Sequence, residues 1–157
     1  MVELRKITAE NLNACLKLEV ADGQDEFVAS NSYTLAEAYV ALVNGEFIPM
    51  PYAIYEGDTM VGFIGMAKTP PASGTEIGYY EMYRFMIDKH YQGRGLGRAA
   101  LAQAIELLET QPLGQGTHIA TSFVPGNDVA KRLYASLGFV ETGELDDDEL
   151  VMRYELH

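Results

Sequence analysis

The sequence predicts a single α/β (α+β) domain with a mixed, mostly antiparallel central sheet flanked by helices. The chain has 157 residues, which is the length of one domain. Segments of alternating apolar residues are interspersed with amphipathic helical segments, and no repeat, low-complexity tract or linker divides the chain. The predicted element order is β α α β β β α β α β β, within one domain over 1–157.

Each element has its own local signal. Strands are predicted from alternation and β-branched or aromatic content at 2–7, 52–55, 60–67, 76–88, 117–124, 139–145 and 150–154. Helices are predicted from 3.6-residue periodicity at 9–20, at 25–30 with 35–43, at 94–110 and at 129–137. Thr8 is the expected cap of the first helix, and Gly45 and Gly138 are the expected left-handed ends of the second and fourth. The segment 70–74 is rich in Pro and Gly and predicts a loop.

Charge and cysteine content exclude several classes of protein. With 11 basic and 23 acidic side chains the formal charge is −12, which disfavours nucleic-acid binding and favours a cationic partner. Cys15 is the only cysteine, so no internal disulfide or cysteine metal cluster can form. The three histidines lack metal-ligand spacing, so we expect no metal. No signal peptide or membrane span is apparent, and we expect a cytoplasmic protein with no membrane partner.

A glycine-rich segment at 92–98 carries the strongest chemical signal. Gly93, Gly95 and Gly97 alternate just before an amphipathic helix. Glycines let backbone N–H groups approach a ligand, and a helix N-terminus adds unpaired donors, so the segment suits a pyrophosphate. The spacing matches neither the dinucleotide fingerprint nor the P-loop. A tight turn leading into a helix is the simpler alternative.

The pattern of Gln92, Gly95 and Gly97 resembles the acyl-CoA pyrophosphate loop of the GNAT superfamily of N-acetyltransferases. A second segment, 127–140, is similar to the family's N-x-x-A-x-x-x-Y-x-x-x-G-F pattern, with Asn127, Tyr134 and Gly138 at the matching places. The resemblance implies the GNAT fold, acetyl-CoA as cosubstrate and a small-molecule amine as acceptor. The residues implied in acetyl-CoA binding are Phe85, Met86, Ile87, Gln92, Gly93, Arg94, Gly95, Leu96, Gly97, Arg98 and Asn127.

The resemblance also implies catalytic residues. Tyr134 would protonate the departing thiolate, because an un-ionised phenol is a competent acid for a thiolate. Glu81, on the strand before the glycine segment, would act as the base for the amine. The alternatives are a core tyrosine for Tyr134 and an exposed strand glutamate for Glu81.

Several segments, among them 18–20, 27–31, 83–88 and 143–146, resemble bacterial spermine/spermidine acetyltransferases of this superfamily. Polyamines are therefore the favoured acceptors, with Glu19, Glu26 and Tyr33 as predicted substrate-binding residues. Those relatives include proteins with a tryptophan before the Arg84 position, whereas this chain has no tryptophan. The alternatives are acetylation of an antibiotic, an amino acid or a protein N-terminus, and a non-catalytic acyl-CoA-binding module. The sequence leaves the oligomeric state open, with a homodimer among the options.

Overall fold

The computed structural model describes residues 1–26, 29–71 and 76–157. The strands are β1 (Val2–Lys6), β2 (Ile48–Glu56), β3 (Thr59–Thr69), β4 (Tyr79–Ile87), β5 (His118–Phe123), β6 (Val140–Asp146) and β7 (Glu149–Glu155). The helices are α1 (Leu12–Lys17), α2 (Asn31–Asn44), α3 (Leu96–Glu109) and α4 (Asp128–Ser136), with a 3₁₀ turn at Gln24–Glu26. The predicted fold class and the order of elements are confirmed for the described chain.

The strands form one sheet in the order β1-β2-β3-β4-β5-β7-β6. Only the central β4–β5 pair is parallel, and the other neighbours are antiparallel. The predicted hairpin at 52–67 is the β2–β3 pair, whose register passes from Ile48↔Lys68 to Glu56↔Thr59. The sheet is therefore mixed and mostly antiparallel, as the sequence predicts.

The two faces of the sheet are covered by different helices. The larger core cluster joins one sheet face to α3 and α4 through residues such as Ile64, Leu101 and Phe139. The smaller cluster joins the opposite face to α1 and α2 through Cys15, Phe63 and Met86. Burial of this apolar surface is the main stabilising contribution to the fold.

The first helix is shorter than predicted and begins later. Asn11, and not Thr8, occupies its N-cap position, and the helix ends at Lys17 because Leu18 is extended. The Glu19 N–H donates to Asp88 Oδ2 at 2.9 Å, and the Glu19 carbonyl accepts from the Lys89 N–H at 2.6 Å. These tertiary hydrogen bonds replace the helical ones, so the periodicity that extends to Val20 does not set the end of the helix.

Other boundaries differ from the prediction by a few residues, although several helix ends follow their local signals. The predicted helical segment 25–30 contains only the 3₁₀ turn among its described residues, α2 is one unbroken helix from Asn31, and β2 begins at Ile48. Ser30 caps α2 by accepting from the Tyr33 N–H at 3.2 Å, and Gly45 ends the helix in the left-handed conformation. Gly138 also has a positive φ, directly after α4. Strand β4 begins at Tyr79, three residues later than predicted. Of the predicted loop, 72–74 lies outside the described residues.

Candidate active site

Strands β4 and β5 separate in the middle of the sheet. They pair at only three positions, the last being Met82↔Thr121. At the same level β4 carries a bulge, since Met82 pairs with Met66 and Arg84 pairs with Gly65, which leaves Tyr83 as the extra residue. A bulge bends its strand and interrupts pairing. The ends of β4 and β5 beyond this point therefore enclose an opening in the sheet.

A cavity of about 650 Å³, here called the glycine cavity, occupies this opening. It lies between the ends of β4 and β5, the start of α3 and the inner side of α4. Nine of the predicted site residues line it: Phe85, Ile87, Gln92, Gly93, Gly95, Leu96, Gly97, Asn127 and Tyr134. The structure thus brings together two segments that lie about thirty residues apart in the sequence.

The start of α3 is built to receive an anion. Gly95 occupies the N-cap position with φ 78°, and Gly93 has φ 76°. No atom lies within 4 Å of the place where a Cβ would stand on either glycine, so the backbone is open on this side. The first helical hydrogen bond runs from the Ala99 N–H to the Gly95 carbonyl at 3.2 Å. The N–H groups of the first turn therefore remain for a ligand, with the positive end of the helix dipole behind them.

Gln92 holds the glycine segment in place. Its Nε2 donates to the Ile87 carbonyl at 2.9 Å and to Gln24 Oε1 at 2.8 Å. The Gln24 amide donates back to Gln92 Oε1 at 3.2 Å. This side chain therefore connects the glycine segment to the end of β4 and to the 3₁₀ turn.

Three residues predicted to bind acetyl-CoA direct their side chains elsewhere. Arg94 Nη2 lies 3.3 Å from Glu56 Oε1, and Arg98 donates to the Ser136 hydroxyl at the end of α4. Met86 packs with Cys15 and Phe63 on the opposite face of the sheet. Arg98 still supplies a backbone N–H in the first turn of α3.

Tyr134 and Asn127 face the glycine cavity from α4. Asn127 caps this helix through its Oδ1, which accepts from the Ala130 N–H at 3.3 Å. Tyr134 is 7% exposed, and its ring packs against Phe139 with centroids 5.8 Å apart. Burial raises the pKa of Tyr134, Glu149 raises it further, and Thr121 acts in the opposite direction. The phenol is therefore kept protonated beside the cavity.

A second cavity of about 1150 Å³, here called the acidic cavity, lies on the opposite face of the sheet from α3 and α4. The alternate residues His118, Ala120 and Ser122 of β5 form its floor. Its carboxylates come from α2, β4, the hairpin of β6 and β7, and the segment before β4. They are Glu37, Glu76, Glu81, Glu144, Asp146, Asp147 and Glu149, against two arginines, Arg84 and Arg153. The cavity therefore favours a cationic ligand.

The two cavities meet at the point where β4 and β5 separate. Both are lined by Met82, Tyr83, Arg84, Ser122 and Glu149. A ligand in the acidic cavity can therefore reach a group held in the glycine cavity. Such a junction allows two molecules to enter from opposite faces and react in the middle of the sheet.

Glu81 lies in the acidic cavity. Burial raises its pKa, with Asp146 acting in the same direction, while the Tyr79 hydroxyl and Arg84 lower it. The Tyr79 hydroxyl donates to Glu81 Oε1 at 3.2 Å. A carboxylate with a raised pKa is a better proton acceptor than an exposed one.

Two of the three residues predicted to bind the acceptor lie away from this cavity. Glu19 forms an ion pair with Lys89, with Nζ and Oε2 2.7 Å apart, and it lines neither cavity. Tyr33 is 58% exposed on α2 and also lies outside both cavities. The Glu26 side chain falls outside the described part of the chain.

Sequence reasoning missed the carboxylates at the chain's C-terminal end. The sequence places the run 146–149 between two predicted strands, and no site residue is predicted in it, but Asp146, Asp147 and Glu149 all line the acidic cavity. One local signal was present. Asp147 and Asp148 take positive φ values of 46° and 68°, in a two-residue turn where Asn-Gly is the relaxed choice. Two consecutive aspartates between two predicted strands were therefore the sequence signal that could have indicated this part of the cavity.

Two kinds of feature, a metal-binding group and a membrane-spanning helix, are absent from the described ranges. No group of three or more His, Cys, Asp or Glu side chains there is placed to hold a metal ion. No helix there has the length and apolarity needed to cross a membrane.

Two known proteins that are similar over the full length of this chain are named as acetyltransferases. A probable spermine N(1)-acetyltransferase of Bacillus subtilis subsp. natto is 34% identical over 157 residues, covering 99% of both chains. A spermine/spermidine N(1)-acetyltransferase of Bacillus subtilis strain 168 is 32% identical with the same coverage. Among solved structures, an aminoglycoside acetyltransferase, AAC(6')-Ib, in complex with coenzyme A has a TM-score of 0.77 at 21% identity. It matches 99% of this chain and 95% of its own, and it shows the shared fold.

The family match covers the glycine segment and the α4 wall of the site but not the β6–β7 hairpin. The Acetyltransferase (GNAT) family matches residues 12–139, a range that contains the glycine segment, both splayed strands and Tyr134. The match, the full-length relatives and the opening between β4 and β5 agree with one another. The chain therefore belongs to the GNAT family and is an acetyl-CoA-dependent N-acetyltransferase.

Proposed function

We propose that this enzyme acetylates a primary amine by direct attack on the thioester, with spermine or spermidine as preferred acceptors. The observation that carries the proposal is the junction of the two cavities, one suited to a pyrophosphate and the other lined by carboxylates. The two full-length relatives named for spermine acetylation support the same acceptor class.

The glycine cavity would hold acetyl-CoA. The first-turn N–H groups of α3 and the open backbone at Gly93 and Gly95 fit its pyrophosphate. Phe85, Ile87 and Asn127 would lie along the pantetheine arm, which leads toward Tyr134 and the junction. The acetyl group would then face the acidic cavity.

The acidic cavity would hold the amine. The part of the β4 wall from Tyr79 to the junction at Met82 is about 10 Å long at the usual rise of a strand. The second nitrogen of spermidine lies about 5 Å or more from the first, because at least four single bonds of about 1.5 Å separate them. A reacting nitrogen at the junction would thus place its second ammonium among Glu81 and the aspartates of the β6–β7 turn.

Tyr134 and Glu81 would handle protons. An alkylammonium is only about one part in a thousand deprotonated at neutral pH, so the amine needs a proton acceptor before it attacks. Glu81 can serve this purpose, directly or through water, because its burial raises its pKa. Tyr134 stays protonated in its buried position and can donate to the departing thiolate.

A thiol-release assay with acetyl-CoA and a panel of amines tests the proposal. The panel contains spermine, spermidine, butylamine, an aminoglycoside, a free amino acid and a peptide N-terminus. One charge-assisted contact to the second ammonium contributes about 1.5–3 kcal/mol, so we expect kcat/KM for spermidine to exceed that for butylamine by about 10- to 150-fold. Equal values for the two amines, or a preference for another member of the panel, would reject the polyamine assignment.

Two matched variants locate the second ammonium. Asp146→Asn removes a carboxylate from the acidic cavity, and we expect it to lower kcat/KM for spermidine about tenfold while butylamine is unaffected. Asp58→Asn removes an exposed carboxylate from the β2–β3 turn and should change neither rate. If the two variants behave alike, the ammonium does not bind beside Asp146.

A further inference from the structure

The structure assigns a second proton acceptor to the reaction. We propose that Glu149 accepts the proton that the nitrogen loses after attack and then transfers it to the Tyr134 phenolate. This inference rests on the proposed amine acetylation. Glu149 is the only carboxylate of the described chain that lines both the glycine cavity and the acidic cavity. It is therefore the acidic side chain placed where the nitrogen meets the thioester.

A hydrogen bond to β5 fixes the position of Glu149 at the junction. It is the first residue of β7, and its Oε1 accepts a hydrogen bond from the Ser122 hydroxyl of β5 at 3.0 Å. Ser122 also lines both cavities. On the α4 side, burial raises the pKa of Tyr134, and the charge of Glu149 raises it further. Glu149 is therefore close enough to influence the proposed acid.

Other charged groups near the junction are less well placed for this role. Glu81 on β4 and Asp146 on β6 line the acidic cavity only. Arg84 on β4 lines both cavities, but it is a cation and its Nη2 lies 3.5 Å from Glu37 Oε1 on α2. Glu149 thus remains the group that can face both the nitrogen and Tyr134.

The chemistry balances with these two side chains. The lone pair of the neutral amine forms the N–C bond, and the carbonyl electron pair moves to oxygen. The nitrogen, now positively charged, transfers a proton to the Glu149 carboxylate. When the carbonyl reforms, the C–S bond breaks with its electron pair on sulfur, and Tyr134 protonates the thiolate.

The proton then returns from Glu149 to the Tyr134 phenolate. This transfer is favourable because a carboxylic acid is a much stronger acid than a phenol. Both side chains are restored, and the net reaction converts amine and thioester into amide and thiol. No further reactant is required.

Glu149→Gln tests the assignment. Glutamine retains an oxygen that can accept from Ser122, but it cannot take a proton. We expect kcat with spermidine to fall about 10²-fold, as is usual for loss of a general base, while acetyl-CoA affinity measured by calorimetry stays the same. The control is Glu141→Gln, an exposed residue of β6 that pairs with Lys131 outside both cavities and should keep the wild-type rate.

A double variant separates this role from a structural one. If Glu149 and Tyr134 share one proton cycle, Tyr134→Phe combined with Glu149→Gln should be about as slow as the slower single variant. A structural role for Glu149 predicts that the two losses multiply. Multiplied losses, or a wild-type kcat in Glu149→Gln, would overturn the assignment while leaving the enzyme an acetyltransferase. No turnover of any amine by the wild-type protein would instead reject the proposed function, and this role with it.

Discussion

At the scale of single residues, the proposed proton transfer depends on the protonation state of Tyr134. A phenol can donate a proton to a thiolate only if it is not itself ionised. Burial raises the pKa of Tyr134, and the nearby Glu149 carboxylate reinforces this. The structure therefore favours the un-ionised phenol that the proposed acid role requires.

Replacing this tyrosine tests its proposed role. Tyr134→Phe keeps the ring that packs against Phe139, and we expect it to lower kcat by about 10²–10⁴ because the acid is lost. Acetyl-CoA affinity should change little. Steady-state kinetics and calorimetry provide the two measurements, and Tyr39→Phe, an exposed α2 position, serves as the control. An unchanged kcat would return Tyr134 to a packing role.

At the scale of elements, the N-terminus of α3 has the features that the proposed acetyl-CoA site requires. Its cap is a glycine with a positive φ and no side chain, so the first-turn N–H groups are exposed rather than capped. Serine or aspartate is the usual cap and would occupy one of these groups. The first-turn N–H groups of α3 therefore have no side-chain cap and are available to an anion.

Gly95→Asp should weaken acetyl-CoA binding by at least about tenfold, as measured by calorimetry. A carboxylate there would compete for the first-turn N–H groups and repel the pyrophosphate, and the positive φ adds strain of about 1–3 kcal/mol. Gly57→Asp is the matched control, since Gly57 also has a positive φ and open space but lies in the β2–β3 turn. It should lose stability without losing affinity. Equal affinity in the two folded variants would remove the α3 terminus from the binding site.

The difference between local and tertiary signals explains how much the sequence predicted. The glycine segment and the Asn127–Tyr134 segment are each contiguous, so the glycines indicated a helix start and the second segment could be matched to the family pattern. The end of α1 depends on hydrogen bonds that join Glu19 to Asp88 and Lys89, which no local pattern records. The residues that line the acidic cavity come from α2, β4 and the β6–β7 hairpin. They are brought together only by the packing of these elements, so the sequence could not indicate them.

At the scale of the whole molecule, the net charge of −12 and the acidic cavity both attract cations. The sheet face that carries β4, β5 and β7 is open to the cavity, while α1 and α2 cover the part over β2 and β3. A polycation would therefore experience attraction both on approach and on binding. A monoamine would experience much less of it.

Ionic strength should separate these two kinds of acceptor. Raising the salt from about 0.02 M to 0.5 M shortens the screening length severalfold, so we expect kcat/KM for spermidine to fall by about 3- to 10-fold. The value for butylamine should change less than about twofold under the same screening. Both are measured in the same thiol-release assay. Parallel decreases for the two amines would show that the charge of the protein does not select the acceptor.

The separation of β4 and β5 also bears on self-association. A strand that lacks a partner along one side usually presents a template for aggregation. Here the unpaired side of β4 beyond Met82 faces β5 and the inner side of α4, with the glycine cavity between them. The unpaired backbone of β4 is thus enclosed within the molecule and not presented at the outer edge of the sheet, which ends in β1 and β6. In the proposed complex the amide groups of the pantetheine arm would lie beside this backbone, so the same opening would serve the cosubstrate and limit pairing with other chains.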